Sequence, residues 1–518
     1  MQLARVCPLL LLLAGGAVAC KGAKADVSLS KSIGNEADEV DIEKIPVPAE
    51  NGPKLVAKKA DVPVLERPRK DAPVVGALRY GAAVARADKP VKRTPECDGG
   101  YYPVRPRGFV CADASVGLDA TSTLPAPDTS RALPYRYATV KSATPLYARM
   151  PTVDEQVESE PGIEKHLAKA AKAAPPSLRA GSNDVPVDER GVPTGRAVIA
   201  KSGIGVGADG KRTAASYFDF GGPTTVPSSD ERASGAVVAM VLRRGSGVAL
   251  VGSASGEGPA GSRAFGVTPD GFFVPIDRVD PALGSTFHGV DLTKEKGLPI
   301  GFVLRHEVAP YTLGKGKAER LDDEELERRS HVFLTGRFRT VDGVRYEEAE
   351  DGVWLRDKDL LKVVKRSKFP DFVTEGKKWL DVSLALQTMT LYEGKKPVYA
   401  TLMSSGKDMV GDPATSASTQ QGTFTVLRKS TTATLDPKEL DQAYDVLDAP
   451  YAIEFAPGFA ITGTYWSDPV GEARSFHNVA LTPIDARRVF AWAGADVPDG
   501  FRWFVPREDE AITVHVRK

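Results

Sequence analysis

Trp379-Leu380-Asp381-Val382-Ser383-Leu384-Ala385-Leu386-Gln387-Thr388-Met389-Thr390-Leu391-Tyr392 decides the architecture of the C-terminal part of this chain. Leu380, Val382 and Leu384 fall on every second position, as do Met389 and Leu391. A period of two sends side chains alternately to the two faces of a strand. The stretch therefore predicts a β-hairpin, with Glu393-Gly394 as a turn at its end. Val398 to Gly406 (Val-Tyr-Ala-Thr-Leu-Met-Ser-Ser-Gly) reads as the next strand, which leaves through a glycine.

Further phrases follow downstream: Thr419-Gln420-Gln421-Gly422-Thr423-Phe424, Ala460-Ile461-Thr462-Gly463-Thr464-Tyr465-Trp466, and Ser475-Phe476-His477-Asn478-Val479-Ala480-Leu481-Thr482-Pro483, then Asp485-Ala486-Arg487. With the hairpin, they resemble the YkuD-type L,D-transpeptidase family, whose corresponding phrases are Thr-Pro-Thr-Gly-x-Phe, Ala-x-His-Gly-Thr-Tyr-Trp and Ser-His-Gly-Cys-Val-Arg/Asn-Leu. The resemblance implies a β-sandwich over residues 375–518, with a helix after the last phrase. It also implies a chemistry. A cysteine thiolate attacks the carbonyl between meso-diaminopimelate and D-alanine in a peptidoglycan stem peptide, a histidine takes the proton, and an amine resolves the acyl-enzyme. The thiolate, not the thiol, is the nucleophile.

The chain departs from this pattern at the reactive positions. Asn478 stands where the family has cysteine, Phe476 where it has the paired histidine and His477 where it has glycine. Ala480 replaces the arginine, and Thr462 replaces the upstream histidine. The four cysteines are Cys7, Cys20, Cys97 and Cys111, all far upstream. A carboxamide cannot act as the nucleophile, so the residues predict a pseudoenzyme that keeps the fold without the ordinary transacylation. Ser475 and His477 form the nearest substitute pair. A serine, however, needs its base within hydrogen-bond reach and a prepared oxyanion site. Binding and catalysis rest on partly different residues, so the expected function is binding of peptidoglycan stem peptides or scaffolding of cell-wall proteins. Two alternatives stand beside it: an active peptidoglycan transpeptidase or hydrolase with an altered nucleophile, and a structural, partner-binding envelope protein. An open groove beside Thr462 and Asn478 favours the first two readings; a groove filled by Phe476 or Trp466 favours the third.

The N-terminus predicts export. Arg5, the apolar run Leu9 to Ala14 and the small residues Ala17-Val18-Ala19 before Cys20 read as a signal peptide over residues 1–20. Cysteine at that junction resembles a bacterial lipobox, which implies lipidation of Cys20 and a membrane partner through the acyl anchor; an ordinary secretory signal is the alternative. Lys21 favours the outer membrane, so the expected location is the cell envelope, on the outer-membrane and periplasmic side. In an oxidising compartment disulfides persist. Cys97 and Cys111 bracket two short strand-like runs, which predicts a disulfide between them, with free thiols as the alternative.

Between these ends the chain reads as mainly β and multidomain. Residues 21–52 lack aromatics and are expected to be a flexible tether. Residues 53–118 carry short strands, Val62 to Leu65 and Val74 to Leu78 among them. The phrase Val64 to Gly76, with Gly100-Tyr101-Tyr102-Pro103-Val104 and Gly108-Phe109-Val110, resembles a bacterial SH3-like β-barrel module. Residues 119–190 read as a connector with one strand, Tyr137 to Val140, and one helix, Glu164 to Ala174. Residues 191–370 read as a β-rich accessory region whose Gly352 to Arg356 resembles a second SH3-like closing hairpin, and Glu319 to Arg329 as a solvated helix or loop. Acidic and basic residues balance at 68 each, which gives no field for nucleic acid. His166, His288, His306, His331 and His515 are scattered without metal-ligand spacing, and Ser202 to Gly207 lacks the Lys-Ser/Thr ending of a phosphate loop. No metal or cofactor is expected.

Overall fold

In the computed structural model, residues 41–118, 124–201, 203–226, 235–293, 297–435 and 444–518 are described. The signal segment with Cys7 and Cys20, and tether residues 21–40, lie outside the described residues. Strand is the dominant secondary structure, arranged in several sheets.

The quoted stretch forms the strands Lys378–Ser383 and Thr388–Glu393, paired antiparallel with Leu380 opposite Leu391. Lys396–Leu402 joins the second of these. The C-terminal strand Thr513–Arg517 runs parallel to the first and carries Gly422–Thr425 on its other side. Facing this sheet is a second one built from Arg428–Leu435, Val446–Ala456, Phe459–Gly463 and Val479–Leu481. Leu380, Val382, Met389, Leu391, Ile453, Phe455, Ile461 and Val479 fill the space between them. This is a β-sandwich. The helix Pro483–Trp492 packs on its second sheet. Thr482 caps that helix by accepting from the Asp485 amide, and proline at its first position suits an end with no amide partner to lose. At the other end Lys429, 1% exposed, donates to the carbonyls of Phe490 (2.8 Å) and Gly494.

The sandwich does not stop at residue 375. Strand Phe501–Phe504 pairs with Arg428–Leu435 on one side and with Val74–Leu78 on the other. Gly76 permits that junction, since a Cβ there would lie 2.8 Å from the Phe501 ring and 3.0 Å from the Trp503 carbonyl oxygen. Phe501 and Phe504 also sit in the core of residues 53–118, against Leu55, Val64, Leu78 and Val110. At the opposite edge Gly247–Leu250 meets Val446 and continues into Arg136–Val140 and Val279–Ala282. Val290–Asp291 adds an edge strand beside Lys396–Leu402.

The upstream segments differ from expectation in places. Tether residues Ile42 and Ile45 pack against Leu65, Ala72, Tyr101 and Phe109, because two isoleucines in an otherwise polar run find an apolar surface. Residues 119–190, read as a connector, supply two strands of the sheets, Arg136–Val140 and Thr144–Tyr147, and two helices, Val153–Ser159 and Ile163–Lys172. Buried Glu160 ties the helices down, accepting from Tyr147 (2.6 Å), from both terminal nitrogens of Arg263 (2.7 and 2.9 Å) and from Arg278. Residues 319–329 contain no helix: the strand Ala318–Arg320 is followed by turns. Cys97 and Cys111 are disulfide-bonded, with Cα atoms 5.9 Å apart.

Candidate functional site

Thr462 lies on Phe459–Gly463, and its register partner across a parallel pairing is Ala480 on Val479–Leu481. Asn478 immediately precedes that second strand, so the parallel pairing brings Thr462 and Asn478 to the same end of the sheet. Both are buried, at 1% and 5% exposure. The segment leading to Asn478 is pinned by backbone bonds: Ser475 N to Ser405 O (2.9 Å), Lys407 N to Ser475 O (2.8 Å), and reciprocal 2.8 Å bonds between Ser404 and Ala480.

Asn478 is occupied structurally. Its Oδ1 accepts from the Ala460 amide at 2.8 Å, binding the turn to the neighbouring strand, and its amide donates to the Phe476 carbonyl. Between them His477 takes a left-handed conformation (φ 49°), which histidine tolerates better than a branched residue. The His477 ring is turned toward Phe459, at 5.5 Å between centroids, and its Nε2 lies 2.8 Å from the Ser416 carbonyl oxygen. Phe476 lies beneath the Lys407 ammonium, 4.6 Å away.

A cavity of about 240 Å³ opens beside these residues. Thr462, Ser475, Phe476 and Asn478 line it, while His477 does not. The structure thus brings together five of the six positions singled out by sequence, Ala480 among them. It separates Ser475 from His477: among the described residues no hydrogen bond joins the Ser475 hydroxyl to an imidazole. Phe476 and Trp466 form walls without filling the space. Sequence reading missed Arg474, Asp468, Leu435 and Tyr444, which also line it; Arg474 immediately precedes the phrase from Ser475 and Asp468 lies two residues past Trp466, and that proximity was the available signal. The Asp468 wall is braced from residues far upstream, by Arg329 (2.6 Å) and the Ser285 hydroxyl (3.0 Å).

Behind the site, Asp485 is fully buried and receives bonds from Tyr399 (2.6 Å), Thr401 (2.5 Å) and the Gly289 amide (3.0 Å). Burial raises its pKa, against the lowering effect of those donors. The network locks the helix to the first sheet and has no outlet to the cavity lining. Among the described residues no group of three or more His, Cys, Asp or Glu side chains has an arrangement that could hold a metal ion. What the arrangement offers chemically is a polar recess with hydroxyls, a carboxamide, a carboxylate and a guanidinium.

Residues 377–505 match the YkuD family, described as the L,D-transpeptidase catalytic domain. Solved structures similar to the chain include an L,D-transpeptidase from Stackebrandtia nassauensis (22% identity, covering 30% of this chain and 62% of that one, TM-score 0.20). Another is an L,D-transpeptidase from Xylanimonas cellulosilytica (18%, 29% and 65%, TM-score 0.20). A third is the catalytic domain of an E. faecium L,D-transpeptidase (21%, 27% and 98%, TM-score 0.21). The chain therefore spans less than two thirds of the first two. No curated protein matches it. The C-terminal region thus carries a YkuD-like domain.

Proposed function

We propose that this chain is a cell-envelope protein whose L,D-transpeptidase-like domain binds peptidoglycan stem peptides, or proteins that work on them, without turning them over. The observation that carries the reading is the state of Asn478. At the position aligned with the family nucleophile stands a carboxamide whose oxygen is already bonded to the Ala460 amide. The cavity beside it remains open, which favours a retained ligand over a closed structural role. Among the described residues no imidazole is hydrogen-bonded to Ser475, and this favours binding over a rebuilt hydrolase. Anchorage through a lipidated Cys20, a location on the outer-membrane and periplasmic side, and an SH3-like character for residues 53–118 belong to the same proposal.

The test combines binding and turnover. Purified protein lacking residues 1–20 is mixed with peptidoglycan sacculi and with soluble tetrapeptide stems, and pull-down and D-alanine release are measured together. Binding without release is expected. Asn478→Cys alone should still give no release, because Phe476 fills the place of the family histidine. Release by the unmodified chain that disappears in Ser475→Ala would overturn the reading, and absence of any binding would point to a protein partner instead.

A further inference from the structure

One wall of the cavity beside Asn478, the turn Ser467-Asp468-Pro469, is held from outside the YkuD-like domain. Arg329 donates to Asp468 Oδ2 (2.6 Å) and, through its other terminal nitrogen, to the carbonyls of Asp468 and Val470 (3.1 Å each). A rigid guanidinium fork can hold a carboxylate and two carbonyls at once, which a point charge cannot do with the same geometry. Its neighbour Arg328 donates to Glu472 (3.3 Å), whose other oxygen pairs with Arg474 (2.6 Å), a residue of the cavity lining. Val470, 1% exposed, sits in an apolar cluster with Ile300, Phe302 and Val363. Polar and apolar contacts thus tie the same turn to the sheet that contains Ile300–Val303, His331–Val341 and Leu360–Val363.

The backbone of Arg329 supplies the second observation. It lies in the left-handed region (φ 69°), which a residue with a Cβ enters at an energetic cost. Such conformations persist where the surrounding contacts over-determine them, and they concentrate at functional sites. Here the Arg329 amide donates to the Val303 carbonyl (2.8 Å) and the Val303 amide to the Ser330 carbonyl (2.9 Å), lacing the turn to the strand Ile300–Val303. The side chain, 11% exposed, lies over the Phe287 ring at 5.9 Å. A strained backbone therefore aims one guanidinium at a wall 139 residues away in sequence.

We propose that Arg329 is a positioning residue for this cavity, and that the binding site is incomplete without the sheet behind it. The inference rests on the peptide-binding function proposed above and names what sets the shape of that site. Arg329 acts in two ways. Its fork fixes the wall, so a ligand meets a preformed recess and does not have to order it. Its charge offsets Asp468 in the lining, so a ligand bearing carboxylates, as a stem peptide does, is not repelled there. Without Arg329 the Asp468 carboxylate would keep, among the described residues, the Ser285 hydroxyl (3.0 Å), which carries no charge to offset it.

The test is calorimetric titration of the same purified protein with soluble tetrapeptide stems, alongside amide hydrogen exchange of residues 467–475 without ligand. Arg329→Gly removes the fork and also suits the left-handed backbone, so it does not endanger folding. Arg329→Lys keeps the charge and gives up the fork. In Arg329→Gly, exchange should quicken at Gly471 and Glu472, whose amides donate to Met403 and Pro469. Stem binding should weaken about tenfold or more, and the gap from wild type should narrow toward about 1 M salt, where the uncovered Asp468 charge is screened. Arg329→Lys should fall between the two. Gly76→Val, which strains the distant junction with Phe501–Phe504, should leave the stem affinity of the folded protein unchanged. Stem affinity in Arg329→Gly equal to wild type, a wall that exchanges no faster, or an equal loss in Gly76→Val would overturn this inference alone. Absence of stem binding by the wild type would overturn it together with the function on which it rests.

Discussion

Two buried polar side chains, Asn478 and Lys429, do structural work in the C-terminal domain. The first ties a turn to a strand; the second caps the helix Pro483–Trp492 through the carbonyls of Phe490 and Gly494. Burial lowers the pKa of Lys429 to about 8, with Asp496 raising it again and Lys378 lowering it further. An exposed lysine titrates near 10.4. Between about pH 8 and pH 10.4 the unfolded chain therefore binds the proton that the folded chain has lost, and stability rises with pH across that window. Below about pH 8 both states are protonated and the penalty is constant. Lys429→Met lacks this titration. The difference in urea stability between wild type and variant should move in favour of wild type from about pH 8 to pH 10, by about 3 kcal/mol at most. A difference that stays flat over this range would show that the ammonium is not desolvated as its burial indicates.

Elements were more legible than their partners. Val62–Leu65 and Val74–Leu78 appear where β-branched residues cluster between turn signals, and the hairpin from Trp379 appears where apolar residues alternate. The helix Val153–Ser159 escaped notice although Thr152 and Glu155 form a capping box, a signal that apolar periodicity alone does not register. Pairings distant in sequence were not readable, because a strand's pattern states which face is buried and says nothing of the strand beside it. The site shows the same division. Thr462 and Asn478 came from motif positions, whereas the Asp468 wall, braced by Arg329, depends on contacts between remote segments. The junction of Val74–Leu78 with Phe501–Phe504 is the clearest such pairing, and it depends on a missing side chain. Gly76→Val would force the Phe501 ring and the Trp503 carbonyl apart. It should cost about 1–3 kcal/mol, the usual range for overpacking, measured as a lower urea midpoint, while a substitution of the exposed neighbour Val74 by threonine should cost little. Equal effects at both positions would mean that the strands do not approach as closely as described.

At the scale of the molecule, one sheet crosses the domain boundaries drawn on the sequence. A sheet runs from Val62–Leu65 through Val74–Leu78, Phe501–Phe504 and Arg428–Leu435 to Val446–Ala456, then on to Gly247–Leu250. Ile42–Lys518 forms one compact unit. Residues 53–118 also borrow Phe501 and Phe504 for their core. A module that borrows part of its core cannot open without exposing it, so its stability should be shared with the sandwich. Phe504→Ala removes a ring that is 6% exposed and should cost about 3–5 kcal/mol. Amide hydrogen exchange of the folded variant reads where that loss is felt. Protection should fall together in Val74–Leu78, Arg428–Leu435 and Val446–Ala456, with the Ile300–Val303 region, which lies in another sheet, affected least. Loss confined to residues 53–118 would instead define an independent module docked on the sandwich. Shared loss would make the two sides of this junction parts of a single cooperative framework.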